Sequence, residues 1–185
     1  MINEIINETK SKMKSTISLF EEDLQGIRSN RASTGLVDRL EVEYYGQMTQ
    51  LRQLANISTP EAMQILIRPF DAGALKAIEK AIREANVGAN PNTDGVQIRL
   101  IMPPLTRERR QELVKVLHRR MEEARIALRN VRRGGNDDLK EYEKEKMISE
   151  DELERGEAEV QKLTDEYIAK IEELGKAKEK EITDI

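Results

Sequence analysis

The stretch LTRERRQELVKVLHRRMEEARIALRNVRRGGNDDLKEYEKEK, residues 105–146, decides how this chain folds. Its apolar residues recur every three or four positions, which places them on one face of an α-helix: Leu113, Leu117, Met121, Ala124, Leu128 and Val131. Leu139 and Tyr142 follow Leu128 and Val131 by 11 residues, about three turns, so the apolar face continues beyond Gly134 and Gly135. We therefore predict one helix over about residues 106–146, although each glycine costs ~1 kcal/mol relative to alanine.

The two ends of the chain carry the same helical spacing. The N-terminal apolar face comprises Ile2, Ile6, Thr9, Met13, Ile17, Phe20, Leu24 and Ile27. The C-terminal one comprises Leu153, Gly156, Val160, Leu163, Tyr167, Ile171 and Leu174, preceded by the capping-box pair Ser149 and Glu152. An amphipathic helix cannot bury its apolar face alone, so three of them predict a long antiparallel three-helix bundle.

The middle of the chain alternates with period two instead. Leu40, Val42 and Tyr44 alternate with charged residues, which predicts a strand, and residues 50–54, 65–68 and 96–102 are further predicted strands. Asp71 is predicted to cap a helix that turns Leu75, Ile78, Ala81 and Ile82 inward. Residues 90–95 are predicted to be a turn-rich loop. The aromatic residues Tyr44, Tyr45 and Phe70 are interpreted as core of this small module.

These patterns together predict an α+β fold. Residues 1–29 and 105–185 form the bundle, and residues 30–104 form a small inserted β/α/β domain. The chain crosses between the two twice, at Ser29, Asn30 and Arg31 and again at Pro103 and Pro104. Two short crossings limit separation and twisting but permit a hinge.

Composition excludes most catalytic chemistry. The 185 residues include no cysteine and one histidine, so disulfides, thiolate catalysis, Cys-based metal sites and multi-His metal sites are excluded. No phosphate loop or hydrolase motif is present, and His118 is interpreted as a rim or packing residue. We therefore predict a protein that is not an enzyme and needs no metal or cofactor. No apolar run approaches a membrane span and the first residues do not resemble a signal peptide, so a cytoplasmic location is expected.

Charge is distributed unevenly along the chain. The net charge is −4, yet residues 105–133 carry ten basic and four acidic side chains, and residues 134–185 carry nine basic and 18 acidic ones. On the central helix Arg125, Arg129, Arg132 and Arg133 share one face, which we call the arginine stripe. Arg107 and Arg110 project to the same side several turns earlier.

A row of guanidinium groups can neutralise a line of phosphates with bidentate geometry. No aromatic side chains interleave with the stripe, which favours duplex or folded RNA over single-stranded bases. The alternative interpretation is a solvated face whose arginines pair with acidic neighbours on the third helix.

Several segments match one protein family in order and spacing. They are IRSNRA (27–32), VEYYG (42–46), LRQLA (51–55), AIEKAI (77–82), NP (90–91), PPLTRERR (103–110), RNVRR (129–133) and VQKLTDE (160–166). Through them the chain resembles the bacterial ribosome recycling factors over essentially its whole length. Where that family usually has Thr-Gly, this chain has Ser29 and Asn30, and the paired Gly134 and Gly135 are also unusual for it.

The resemblance implies an L-shaped molecule made of a three-helix bundle and a hinged β/α/β domain. It implies a translation factor that splits the post-termination 70S ribosome into subunits together with elongation factor G, which hydrolyses the GTP. It also implies that the bundle lies against large-subunit ribosomal RNA. By residue match, the RNA contacts would be Arg28, Arg110, Arg129, Asn130, Arg132 and Arg133. A monomer is expected.

Two other functions remain open from the residues. One is a ribosome- or RNA-binding protein without a GTPase partner, and the other is a coiled-coil adaptor whose charges keep it in solution. The inserted β/α/β module counts against the adaptor, because a coiled coil needs no hinged appendage.

Overall fold

The computed structural model describes residues 1–184 and has an α+β fold, as predicted. Its elements in chain order are α1 (Ile2–Gln25), β1 (Glu41–Tyr44), β2 (Gln47–Gln50), α2 (Leu51–Leu54), β3 (Ala55–Glu61), β4 (Gln64–Pro69), α3 (Leu75–Ala85), β5 (Pro91–Thr93), β6 (Ile98–Ile101), α4 (Arg107–Lys144) and α5 (Glu150–Thr183). The chain divides into two compact units. The first comprises residues 1–24 and 115–179, and the second comprises residues 25–114 and 180–184.

The first unit consists of nearly all of α1 and most of α4 and α5, packed along their apolar faces. Gly135 of α4 lies beside Thr9 of α1, and Ile5 packs with Leu139 one turn further along, so α1 and α4 are antiparallel. Leu139 also lies against Gly156 near the start of α5, and Met121 lies against Gly175 further along it, so α4 and α5 are antiparallel as well. The predicted antiparallel packing of three helices is confirmed within this unit.

Helix α4 continues through both glycines, as the spacing of its apolar residues predicts. The structure gives the reason for one of them. A Cβ on Gly135 would lie 2.6 Å from Oγ1 of Thr9, whereas a Cβ on Gly134 would meet nothing within 4 Å. Gly135 therefore permits the close approach of α1, while Gly134 faces open space.

The buried face of α5 differs from the predicted one. Thr164 and Gly175 are buried, whereas four residues of the predicted face are only partly covered: Leu153, Leu163, Tyr167 and Leu174. The hydroxyl of Thr164 donates to the carbonyl of Val160 at 2.8 Å, so this polar side chain is satisfied inside the unit. Gly175 leaves the space that Met121 of α4 fills. The prediction missed both residues because hydrophobicity alone does not identify a small or self-satisfied residue as buried.

The second unit is built on an antiparallel sheet of order β3-β4-β6-β5, with β1 and β2 forming a separate hairpin. Central pairings are Ile67 with Ile98 and Ile65 with Leu100. Helix α3 buries Ile78 and Ile82, as its spacing predicts. The core of this unit also contains Val37, Val42, Leu51, Leu54, Ile65, Ile67, Ile98, Leu100 and Met102.

Two predicted elements of this unit are wrong. Most of residues 50–54 form the short helix α2, because Leu51 and Leu54 are both buried and lie one helical turn apart. Within residues 90–95, Pro91–Thr93 is the edge strand β5 rather than loop. Proline is tolerated at an edge, where its missing N–H removes no central ladder bond. Strand β3 was not predicted at all.

The aromatic residues are also corrected. Tyr44 is half-buried against the core, but Tyr45 is 83% exposed and Phe70 is 72% exposed. Tyr45 and Gly46 both have positive φ, +49° and +76°, in the tight turn between β1 and β2, which directs Tyr45 outward. Asp71 caps the 3-10 turn Ala72–Ala74 through the N–H of Gly73, one element before α3.

Candidate nucleic-acid interface

The first arginine of the stripe is held within the first unit. Nε and Nη2 of Arg125 both donate to Oε1 of Glu172 on α5, at 2.8 and 2.5 Å. Its Nη1 donates to Oε2 of Glu122 at 2.8 Å, and its side chain is only 21% exposed. Burial alone would lower the pKa of Arg125, but its bonds to Glu172 and Glu122 raise it. Arg125 therefore ties α4 to α5 more than it faces solvent.

Arg129 and Arg132 each have one polar side-chain partner in the described part of the chain. Nη1 of Arg129 donates to Oε1 of Glu122 at 3.2 Å, in a pair whose two side chains are about half exposed. Nη1 of Arg132 donates to Oε1 of Gln161 on α5 at 3.1 Å. Gln161 in turn donates to Asp165 at 2.9 Å. Both guanidinium groups retain free N–H donors for an incoming acceptor.

Arg133 and Asn130 complete the segment and are exposed. Among residues 1–184, neither side chain makes a hydrogen bond or ion pair with another. From Arg125 to Arg133 the helix rises about 12 Å at ~1.5 Å per residue. Residues 129–133 thus present guanidinium groups and one amide from little more than one helical turn.

The alternative interpretation of paired charges applies to part of the stripe. Arg125 is paired with acidic groups on its own helix and on α5, whereas Arg133 has no pair within residues 1–184. Glu122, the acid on α4 nearest the stripe, accepts from Arg125 and from Arg129. These two bonds hold the pKa of Glu122 below its usual value, so this carboxylate is firmly ionised.

Arg28 and Arg110 belong to the second unit. Nη2 of Arg28 donates to the carbonyl of Pro103, and burial, followed by the charge of Arg109, lowers its pKa. Nη1 of Arg110 donates weakly to the carbonyl of Thr183 at 3.5 Å. Nε of Arg110 is buried with no hydrogen-bond partner in the described chain. Both side chains are thus partly engaged with the backbone of their own unit.

The residues predicted for the two crossings also lie in the second unit. The side-chain amide of Asn30 donates to the carbonyl of Asp184, and Arg28 links the first crossing to Pro103 in the second. Just beyond them, Ala32 N–H donates to Ala62 O and Met102 N–H donates to Met63 O, both at 2.7 Å. Ser29, Arg31 and Pro104 flank these contacts in sequence.

Sequence reasoning missed the acceptors around the stripe. Glu122 precedes Arg125 by three residues and Arg129 by seven, so helical spacing contained the signal for that cluster. Glu172 and Gln161 lie on α5, and only the pairing of two helices brings them to α4.

Other chemistry is not indicated in the part of the chain that the structure describes. His118 is exposed and lies 3.3 Å from Glu179, in agreement with its interpretation as a rim residue. Residues 1–184 hold no group of His, Cys, Asp or Glu side chains suited to a metal ion. No helix in that range is both long and apolar enough to cross a membrane.

Comparison with known proteins decides the family. The family model described as "Ribosome recycling factor" matches residues 20–183. The chain belongs to the ribosome recycling factor family. The ribosome-recycling factor of Carboxydothermus hydrogenoformans is 50% identical over 185 residues, which are 100% of each chain. The resemblance inferred from the motifs is therefore confirmed, and membership of this family of translation factors agrees with the prediction of a protein that is not an enzyme.

Solved structures of ribosome recycling factors have the same fold. One is a solution structure of the factor, 46% identical, with a TM-score of 0.73 and coverage of 100% of this chain and 98% of that one. Another contains the T. thermophilus ribosome recycling factor and the E. coli elongation factor G bound to the E. coli post-termination complex. This chain is 44% identical to the recycling factor in that complex, with a TM-score of 0.66 and coverage of 98% of both chains.

Proposed function

We propose that this protein acts on the ribosome after termination and splits the post-termination complex into subunits together with elongation factor G. Support comes from its full-length similarity to ribosome recycling factors and from the related factor bound, with elongation factor G, to a post-termination complex. In this proposal GTP is hydrolysed by the elongation factor and not by this chain, which needs no cofactor of its own. Because it acts on the ribosome, we expect it to work in the cytoplasm.

The proposal includes a contact between the arginine stripe and large-subunit ribosomal RNA. The observation that carries it is segment 129–133, where the exposed Arg133 and Asn130 have no partner in residues 1–184 and Arg129 and the half-buried Arg132 have spare donors. Guanidinium groups in such a row match phosphate oxygens in charge and in geometry. Arg28 and Arg110 are included as further contacts on the strength of the family motif, although parts of both side chains are already engaged.

A hinge at Ser29, Asn30, Arg31, Pro103 and Pro104 also belongs to the proposal. It would connect a bundle of residues 1–29 and 105–185 to an inserted domain of residues 30–104. Short crossings that contain proline and polar residues support rotation of one domain as a rigid body.

Subunit splitting tests the proposed function directly. Post-termination 70S complexes are mixed with the full chain, elongation factor G and GTP, and dissociation is followed by light scattering. Splitting is expected only when both proteins and GTP are present. Equal splitting without elongation factor G, or binding without splitting in its presence, would favour a ribosome-binding protein that has no GTPase partner.

A further inference from the structure

Glu122 occupies a special position among the arginines of α4. Its two carboxylate oxygens accept from different residues of the stripe: Oε2 from Arg125 at 2.8 Å and Oε1 from Arg129 at 3.2 Å. We propose that Glu122 competes with RNA phosphate for Arg129. Its carboxylate holds Arg129 in the free protein and releases it when RNA binds. This inference rests on the proposed function of the stripe and adds to it a residue that sets its affinity.

The two arginines that Glu122 contacts differ in how firmly they are held. Arg125 has a second carboxylate, Glu172, which accepts from both Nε and Nη2. It therefore keeps a counter-ion when Glu122 moves away. Arg129 is 46% exposed, and Glu122 is its only polar partner among the described residues.

This difference assigns separate roles to the arginines. Arg125, only 21% exposed, anchors Glu122 beside the stripe and is a positioning residue. Arg129 is the exchangeable cation, since a phosphate oxygen can replace a half-exposed carboxylate without leaving a buried charge unpaired. Arg133, which has no partner in residues 1–184, can meet phosphate without such an exchange.

Competition has a definite consequence for affinity. A phosphate that engages Arg129 through Nη1 must displace Glu122 from that nitrogen, and the carboxylate then remains near the bound anion and repels it. Replacing Glu122 by glutamine removes the negative charge but keeps the size of the side chain. Because exposed ion pairs contribute little, we expect binding to tighten by about threefold to tenfold.

The neighbouring Glu123 provides a matched control. Its carboxylate pairs with Arg120 at 2.8 Å, outside the stripe, and is 51% exposed, compared with 50% for Glu122. Glu123→Gln changes the net charge by the same amount and breaks a pair of the same kind. A general charge effect would act equally on both variants, whereas competition for Arg129 acts only on Glu122→Gln.

Binding of the full chain to purified large ribosomal subunits tests the proposal at 50–200 mM salt. Glu122→Gln is expected to bind about threefold to tenfold more tightly than the original protein, and Glu123→Gln within about twofold of it. In an Arg129→Ala background the gain from Glu122→Gln is expected to disappear. Thermal unfolding within about 2 °C of the original protein checks that the variants fold, since exposed substitutions alter stability little.

The outcomes separate this inference from the proposed function. If Arg129→Ala and Arg132→Ala bind as the original protein does, the stripe is not an RNA interface and the proposed function loses its RNA contact. If they bind weakly, the RNA contact stands, and any one of three results contradicts only the role proposed for Glu122. These are unchanged or weaker binding by Glu122→Gln, an equal gain from Glu123→Gln, and a gain that persists without Arg129.

Discussion

Arg125 and Arg120 lie on the same helix but differ in what surrounds their guanidinium groups. Arg125 bonds to Glu172 across the helix interface and is 21% exposed, while Arg120, 44% exposed, pairs with Glu123 alone among the residues that the structure describes. We expect Arg125→Ala to lower the free energy of unfolding by about 1–2 kcal/mol, because hydrogen bonds to a charged group in a covered site are lost. Arg120→Ala should change it by less than about 0.5 kcal/mol. Urea unfolding followed by circular dichroism measures both, and equal effects would contradict a tying role for Arg125.

Tyr44 and Asp71 form a coupled pair in the second unit. The phenol donates to Oδ2 of Asp71 at 2.6 Å, which raises the pKa of Tyr44 to about 12 and lowers that of Asp71 below its ordinary value. Through Tyr44, the contribution of this hydrogen bond to the free energy of unfolding is fully present below pH 10 and is lost as the pH rises towards 12. For Asp71 it is present above the carboxylate's ordinary pKa of 3.8 and is lost as the pH falls through the lowered pKa.

Absorbance at 295 nm during alkaline titration measures the phenolate of each tyrosine. The chain has four tyrosines, and we expect the phenolate of Tyr44 to form only near pH 12. In Tyr44→Phe this late phase should be absent. A titration of the original protein with no phase near pH 12 would show that the bond between Tyr44 and Asp71 does not persist in solution.

At the scale of the element, alanine substitutions at the two adjacent glycines of α4 are expected to have opposite effects on the free energy of unfolding. Gly134→Ala should raise the free energy of unfolding by about 0.5–1 kcal/mol, because alanine favours the helix and the added Cβ meets nothing within 4 Å. Gly135→Ala should lower it by about 1–3 kcal/mol, since the new Cβ would lie 2.6 Å from Oγ1 of the buried Thr9. Denaturant unfolding of the two variants, which differ by one position, compares them directly.

The Thr9→Ala substitution completes this test. In that background the penalty of Gly135→Ala should shrink, because the atom that obstructs the new methyl group is gone. Gly134→Ala should keep its gain. Equal stabilisation by both glycine substitutions in the original protein would contradict the close packing of α1 against α4.

The elements that could be predicted are those whose signal is local. The apolar spacing of α4 survives Gly134 and Gly135, so one long helix follows from sequence alone. β5 was not predictable in this way, because Pro91–Thr93 becomes a strand only through pairing with β6. The outward position of Tyr45 likewise depends on a turn with positive φ, which an aromatic residue does not indicate.

The candidate site is likewise predictable in part from local sequence and in part only from tertiary packing. Helical spacing places Arg125, Arg129, Arg132 and Arg133 on one face without any tertiary information. It does not distinguish Arg125, which Glu172 of α5 holds, from Arg133, which has no partner in residues 1–184. That distinction depends on which α5 residue packs opposite each turn of α4. Arg28 follows only from the family motif, since no charge pattern surrounds it.

At the scale of the whole molecule, the basic segment 105–133 and the acidic segment 134–185 lie in one chain of net charge −4. In the first unit the acidic α5 neutralises part of the basic α4, as the pairs Arg125 with Glu172 and Lys140 with Glu157 show. Within residues 129–133, Arg129, Arg132 and Arg133 keep donors for a partner. An RNA contact made by these three cations should respond measurably to the loss of one.

Binding of Arg132→Ala to large ribosomal subunits across a range of salt concentrations tests this account most directly. We expect about ten- to a hundredfold weaker binding at moderate salt, which corresponds to ~1.5–3 kcal/mol for a lost charge-assisted contact. The slope of log K against log[salt] should become shallower by roughly 0.7–0.9, since one phosphate fewer is neutralised. Arg132→Lys should restore binding only in part because an ammonium group lacks the bidentate fork, and Arg120→Ala should leave it unchanged. Normal affinity and an unchanged salt slope in a folded Arg132→Ala variant would contradict the account.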